Sequence, residues 1–318
     1  MVAGTKTAQY GETIAGHTGL GRIRVGMILL AAISSMPELV TGVSSVTLVD
    51  VPDFGVGTLL GSCLFNLTII AFLDIMRRRE PVLNHASRRH LPLAGMVVLL
   101  MTIAGLSIRF RESLAGVSLG WVGVPTIIVM LIYLVGLWRI TRSEASYHAS
   151  VPVEAGVSLS RLTWLKLAVA AAWVIGAGIW MSYVADEIAL VTGWEGSFIG
   201  SIFLAIATSL PEMVIAIAAF RMGAIDLAVA DILGANMLDI AMIVPVDLAQ
   251  SQGFVLSSVS SNHLIVASVA VTMTILVMAG LRFRRSRKLF GVASWYTPLL
   301  LALYVFGSYA LFNSGTGL

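Results

Sequence analysis

The chain has 318 residues, 58% hydrophobic and only 12% charged, with a mean hydropathy of +0.92. Soluble domains run about 45–50% apolar and about 25% charged, which excludes a large soluble domain and leaves a polytopic membrane protein. The net charge of +3 and pI near 9.2 do not point to nucleic acid, and the lone Cys63 excludes an internal disulfide and a thiolate metal cage.

No cleavable leader is predicted, because the first twenty residues lack a basic start followed by an apolar core. Apolar runs of about 20 residues predict spans. Nine occur, at 23–49, 55–75, 91–108, 119–140, 164–191, 197–219, 225–248, 263–281 and 292–312. Connections are short except 141–163, which is polar and contains Pro152 and Gly156. The predicted organisation is a first repeat over 1–140, a cytoplasmic linker over 141–163 and a second repeat over 164–318. If the first run goes outward, 18 of the 20 basic residues fall inside and only Arg109 and Arg111 fall outside. Such a bias fixes orientation.

Two octets dominate the pattern: Ala31-Ala32-Ile33-Ser34-Ser35-Met36-Pro37-Glu38 and Ala205-Ile206-Ala207-Thr208-Ser209-Leu210-Pro211-Glu212. They align without a gap, Glu38 to Glu212, at an offset of 174. They lie in the first and sixth spans, and five crossings reverse direction. The repeat is direct in the chain and inverted in the membrane, as in many secondary transporters whose site lies where broken helices meet. Ile14, Ala15, Thr18-Gly19 and Gly26 also match Ile188, Ala189, Thr192-Gly193 and Gly200. Position 164 would map ahead of residue 1, so the first helix of the first repeat is expected to be largely missing, through truncation or a late start.

Each half carries a second motif in its next span, Gly61-Ser62-Cys63-Leu64-Phe65-Asn66-Leu67 and Gly234-Ala235-Asn236-Met237-Leu238-Asp239-Ile240, at an offset of 173. A lone carboxylate at mid-bilayer costs at least about 2.5–3.5 kcal/mol. Glu38, Glu212 and Asp239 sit at that depth with no Lys or Arg predicted beside them. Either protons are held or a cation supplies the missing charge. Oxygen ligands without a His or Cys constellation favour a hard cation, and Ca²⁺, with about 6–8 oxygens in flexible geometry, suits them better than Mg²⁺. Pro37 and Pro211 each remove one helix hydrogen bond. The freed carbonyls and the hydroxyls of Ser34, Ser35, Thr208 and Ser209 offer monovalent-ion ligands.

The blander readings differ by residue. One intramembrane glutamate alone could be a protonated structural group, whereas two in twinned octets argue for ligands. Ser62 and Asn236 also suit helix packing, as small and polar residues do. Cys63 reads as a buried small residue. Asp50, Asp53 and Glu195 read as solvated outer-loop residues; Asp226 and Asp231 flank the start of the seventh span, with the cytoplasmic access route one alternative for Asp231.

These octets and Gly motifs resemble the α-repeats of the cation/Ca²⁺ antiporter superfamily, most closely its sodium/calcium exchanger branch, over nearly the whole chain. The resemblance implies an all-α polytopic fold of two inverted repeats of about five helices each. It implies a central divalent site of Glu38, Glu212, Asn66 and Asp239. Flanking sodium sites would use Ser34, Ser35, Ser62, Thr208 and Ser209, with the carbonyls of Ala31 and Ala205. The chain departs from the family pattern at Ile33-Ser34, at Cys63, at Ala235, which removes an expected hydroxyl, and at Gly57-Thr58 and Ala230-Asp231.

The expected function is Ca²⁺/Na⁺ antiport by alternating access at a site shared by both ions, with the first two spans moving against the rest. Ca²⁺ and Na⁺ are ligands and no cofactor is expected. The expected setting is a multi-pass monomer in the lipid bilayer of the plasma (inner) membrane. Competing readings are H⁺ or K⁺ coupling on the same scaffold, or a degenerate member that does not transport. No His-Glu-x-x-His, no Gly-x-Ser-x-Gly and no paired nucleophile and base occur, so no enzyme is expected.

Overall fold

The structure is a computed structural model that describes residues 25–77, 80–114, 116–148, 161–251, 253–284, 288 and 292–316. The expected missing helix and the matches at Ile14 to Gly19 concern residues outside that set. The described elements are helical apart from a two-residue-strand hairpin, β1 Ser118–Leu119 and β2 Val122–Gly123.

Labels follow chain order. A π turn at Val25–Leu30 leads into α1 (Ala31–Ser34), and α2 (Met36–Ser44) ends in a second π turn, Ser45–Val49. Then come α3 (Pro52–Met76), α4 (His90–Arg109), α5 (Val124–His148) and α6 (Arg161–Thr192). A third π turn, Ile199–Leu204, leads into α7 (Ala205–Thr208), followed by α8 (Leu210–Arg221), α9 (Ile225–Ala241), α10 (Ile243–Ala249), α11 (His263–Arg282) and α12 (Thr297–Thr316).

Six helices are long and apolar enough to cross a membrane, and two bent pairs bring this to eight among the described residues. The fourth predicted span, 119–140, opens differently from expectation. Its first residues form the hairpin, turned at Gly120 with φ +68°. The helix therefore starts at Val124, and its apolar part, Val124–Ile140, is short. The interval 141–163 carries helix at both edges, to His148 and from Arg161.

Burial sorts the helices. The most apolar window is 94% buried in Pro52–Met76 and in Ile225–Ala249, 50% in α4 and α11, and 17% and 22% in Trp173–Thr192 and Thr297–Ser314. The Gly-motif helices are thus the core and the other spans wrap them. A helix apolar on all sides has to be buried in this way or face lipid. Repeat symmetry extends to element ends shifted by 173: 52 to 225, 90 to 263 and 124 to 297.

Two kinds of acid clasp, each made twice, hold the rims. Fully buried Asp74 accepts from Val82 N (2.8 Å), Ser294 N (2.8 Å), Ser294 Oγ (2.7 Å), Tyr296 Oη (2.9 Å) and Thr297 Oγ1 (2.6 Å). Lys288 Nζ stands 3.4 Å from its Oδ2. Burial holds the Lys288 ammonium below the usual lysine range against the pull of Asp74. Burial, and then the Asp74 charge, push the Tyr296 hydroxyl up. Asp247, shifted by 173, accepts from Val255 N (2.6 Å) and Gly123 N (3.0 Å). This demand for donors sets where α12 and α5 begin.

The second clasp joins the halves crosswise. His90 Nε2 lies 2.9 Å from Asp226, which also accepts from Ser87 N; His263 Nε2 lies 2.8 Å from Asp53, which also accepts from Ser260 N. Each pair ties one repeat's α4 or α11 to the other repeat's Gly-motif helix. Asp53 is therefore a tied group and not a solvated loop residue. Glu195 is tied too, accepting from Ser197, Ser260 and Asn262.

Removing one member of a buried charged cluster costs about 3–5 kcal/mol. Asp74→Ala is therefore expected to lower the thermal unfolding midpoint in detergent far more than Asp50→Asn at an exposed turn. Equal midpoints would show that the clasp is not structural.

Candidate functional site

The site begins with the helix breaks. Ser35 and Ser209 adopt nearly the same turn, φ −83° and ψ 11° against φ −87° and ψ 10°. The proline two residues later has no N–H for the carbonyl four residues before it, Ile33 or Ala207, so the helix is interrupted there. The segments on either side meet at 43° in the first repeat and 42° in the second. A π turn precedes both breaks, Val25–Leu30 and Ile199–Leu204, related by the same offset of 174. Such wide turns recur at functional sites.

Each break places a glutamate in the first turn of the following half-helix, Glu38 in α2 and Glu212 in α8. A helix N-terminus carries partial positive charge, which favours a carboxylate there. Both glutamates are fully buried.

The hydroxyl partners are exchanged between repeats. Ser209 Oγ donates to Glu38 Oε1 at 2.9 Å, and Ser35 Oγ donates to Glu212 Oε1 at 3.0 Å. Ser62 Oγ adds a longer bond to Glu38 Oε1, 3.4 Å. Along the Gly-motif helices, Asn236 Nδ2 donates to the Cys63 carbonyl at 3.2 Å and Cys63 Sγ donates back to the Asn236 carbonyl at 3.6 Å. Residues 63 and 236 are repeat equivalents, so the pseudo-two-fold axis passes between them. Cys63 is a buried packing residue, with its thiol also on the Leu59 carbonyl.

Close approach of the backbones makes this exchange of partners feasible. A Cβ on Gly61 would fall 2.1 Å from the Ser201 carbonyl oxygen, and one on Gly57 would fall 3.0 Å from Gly200 Cα. The third π turn, Ile199–Leu204, therefore lies directly on α3.

Several buried polar atoms have no hydrogen-bond partner among the described residues. They include Glu38 Oε2, Glu212 Oε2, both Asp239 oxygens, both polar atoms of Asn66, Asn236 Oδ1 and both Asp231 oxygens. Among the described residues, none of the residues classed as buried is a lysine or arginine, and the one enclosed ammonium, that of Lys288, is spent on Asp74 at the rim. In native proteins buried polar atoms are paired almost without exception, so a cluster of such orphans needs an explanation. No three His, Cys, Asp or Glu side chains among the described residues are gathered tightly enough to hold a metal ion as they stand.

The expected monovalent ligands divide. Ser35, Ser209 and Ser62 reach the glutamates. Ser34 Oγ instead donates to the Ala31 carbonyl (3.3 Å), and Thr208 Oγ1 to the Leu204 (2.9 Å) and Ala205 (3.3 Å) carbonyls. The Ala31 and Ala205 carbonyls also accept from Ser35 N and Ser209 N, 3.0 Å each. Asp231 is fully buried, one turn before Gly234.

The sequence expectations omitted the clasp acids Asp74 and Asp247. Their offset of 173 equals that of Asn66 and Asp239, so extending the repeat alignment to the helix ends would have found them.

The profile of the family described as sodium/calcium exchanger protein matches residues 4–139 and 162–313. The inner membrane protein YrbG of Escherichia coli is 30% identical over 240 residues, 71% of this chain and 68% of that protein. The putative antiporter CaxA of Alkalimonas amylolytica is 25% identical over 313 residues, 96% of this chain and 93% of that one. A solved structure of the sodium-calcium exchanger NCX_Mj superposes with a TM-score of 0.63 at 19% identity, covering 96% of this chain and 92% of that chain. At that identity the superposition shows the fold, two repeats included.

Any side chain at Gly61 would press on backbone. Gly61→Ala is expected to reduce the yield of folded protein at least several-fold by size-exclusion chromatography in detergent. Gly95→Ala, whose Cβ meets nothing nearer than Met278 Cε at 4.0 Å, should leave the yield unchanged.

Proposed function

Because the chain belongs to the sodium/calcium exchanger protein family, and is thereby a multi-pass membrane cation/Ca²⁺ antiporter and not an enzyme, we propose that it exchanges Ca²⁺ for Na⁺ at one site shared by both ions. The proposed centre is Glu38, Glu212, Asn66 and Asp239. Ser35, Ser62 and Ser209 serve as near ligands, and Ser34, Thr208, Ala31 and Ala205 complete the flanking monovalent positions.

One observation carries this reading. Each glutamate spends one oxygen on a serine of the opposite repeat and keeps the other unpartnered, and Asp239 and Asn66 on the two Gly-motif helices have all their polar atoms unpartnered. A carboxylate group so deep in a bilayer needs a positive partner, and among the described residues no lysine or arginine bonds to either glutamate. A hard cation taking several oxygens in flexible geometry meets the need, which is the habit of Ca²⁺. In the proposal, ion binding draws the two half-helices inward and gathers carboxylates that otherwise stand apart. Na⁺ competes for the same glutamate oxygens, and this competition couples the fluxes.

The crosswise serine bonds give the coupling a mechanical form. An ion that takes the Glu38 oxygens draws Ser209 and its half-helix with it, and the same holds for Glu212 and Ser35. The expectation that the first two spans move together is revised in this proposal. Helix α3 is the buried core and is tied to α9, whereas α6 lies at the periphery and packs on α2. There Ser182 Oγ donates to the Thr41 carbonyl and Thr41 Oγ1 to the Gly178 carbonyl, 3.3 and 3.4 Å. The proposed moving unit is therefore the first broken helix with α6, in an inner membrane.

Uptake of ⁴⁵Ca²⁺ into proteoliposomes tests the reading. An outward Na⁺ gradient is expected to drive uptake, and Glu212→Gln or Glu38→Gln to cut it at least ten-fold with folding unchanged. Uptake driven only by a K⁺ or pH gradient would move the coupling to those ions. Absence of uptake under every gradient, or normal uptake by Glu212→Gln, would overturn the site.

A further inference from the structure

Arg109 and Arg111 stand apart from the other basic residues, since the charge bias places 18 of 20 on one side and these two on the other. The structure places both on the lining of a cavity of about 330 Å³, together with Glu112, Ser113 and Ser261. A second cavity of about 460 Å³ shares Arg109 and Leu264 with the first, and is lined by Met101, Gly105, Ala267 and Val271 among others. The two form one groove between α4 and α11, charged at one end and apolar along its length.

The groove has room for the upper part of one acyl chain. Arg109 to Met101 is eight residues, about 12 Å of helix at 1.5 Å per residue, running toward the middle of the membrane. Small residues open it, and a Cβ on Gly105 would meet Ala267 Cβ at 3.4 Å. Leu106 on its rim is 50% exposed.

The charged end lies at headgroup depth by a separate criterion. Phe110, Val117, Leu119 and Trp121, all nearby in the chain, are exposed. Exposed aromatic and apolar side chains next to arginines mark a membrane–water interface. Arg111 is held by a bond from Nη1 to the Val259 carbonyl at 2.5 Å, and its guanidinium has further N–H donors. Two arginines against Glu112 give the end a net charge of +1, the complement of one phosphodiester.

We propose that this groove is a phospholipid-binding site, with the headgroup phosphate on Arg109 and Arg111 and an acyl chain between α4 and α11. The lipid would brace these two helices, which pack against each other and carry the crosswise histidines. The inference does not depend on which ions are transported.

Native mass spectrometry of the purified full chain in a mild detergent, with added phosphatidylglycerol or phosphatidylethanolamine, tests it. One retained phospholipid per chain is expected. The bound fraction should fall at least five-fold in Arg109→Gln/Arg111→Gln. It should fall similarly in Ser268→Trp, which fills the apolar part and leaves the arginines in place. Arg139→Gln, on exposed α5 surface, should keep it, and millimolar inorganic phosphate should not displace it. Absence of a retained lipid, retention by Ser268→Trp, equal loss in Arg139→Gln, or displacement by phosphate alone would each overturn the proposal.

Discussion

Two glutamates are fully buried in a membrane protein, with no basic side chain bonded to them among the described residues, and each borrows a hydroxyl from the opposite repeat. The rest of the structure follows from arranging that exchange. The breaks at Ser35 and Ser209 turn the chain so that each glutamate opens a half-helix. The glycines at 57 and 61 let a π turn lie against a helix backbone, close enough for one repeat's serine to reach the other repeat's acid. The axis between Cys63 and Asn236 makes the reach reciprocal. Half of each carboxylate is satisfied by this device and half is left over.

The acids at the rims are treated in the opposite way. Asp74 is filled with donors from backbone, hydroxyls and a lysine, and Asp53 and Asp226 are closed by histidines. Full satisfaction suits a fixed scaffold, because breaking such a network costs free energy at every bond. Partial satisfaction suits a site that must exchange partners. Asp74 and Asp239 are both fully buried, yet the first is saturated with donors and the second has none, a difference that burial and charge alone do not show.

Much of this was legible in the sequence for definite reasons. The octets and Gly motifs keep their residue types at one offset, so inverted repeats and broken helices could be read from Pro37, Pro211, Gly61 and Gly234. The crossing helices were legible because lipid demands long apolar runs. The bonding of particular hydroxyls was not. Ser34 and Thr208 turn back onto carbonyls three or four residues earlier, a local alternative always open to serine and threonine in helices. The clasp at Asp74 was also hidden, because its donors at Ser294 to Thr297 lie about 220 residues away and only the fold brings them together. The hairpin at 118–123 was masked by apolar residues that looked like the start of a span.

The central claim is that Ca²⁺ and Na⁺ occupy the same oxygens. Equilibrium ⁴⁵Ca²⁺ binding to the purified protein, titrated with Na⁺ at constant ionic strength, tests it most directly. A shared site predicts that Na⁺ raises the apparent Kd for Ca²⁺ without lowering the number of ions bound at saturation, and that Glu212→Gln abolishes binding. Ca²⁺ binding that is indifferent to Na⁺, or that survives Glu212→Gln unchanged, would contradict it.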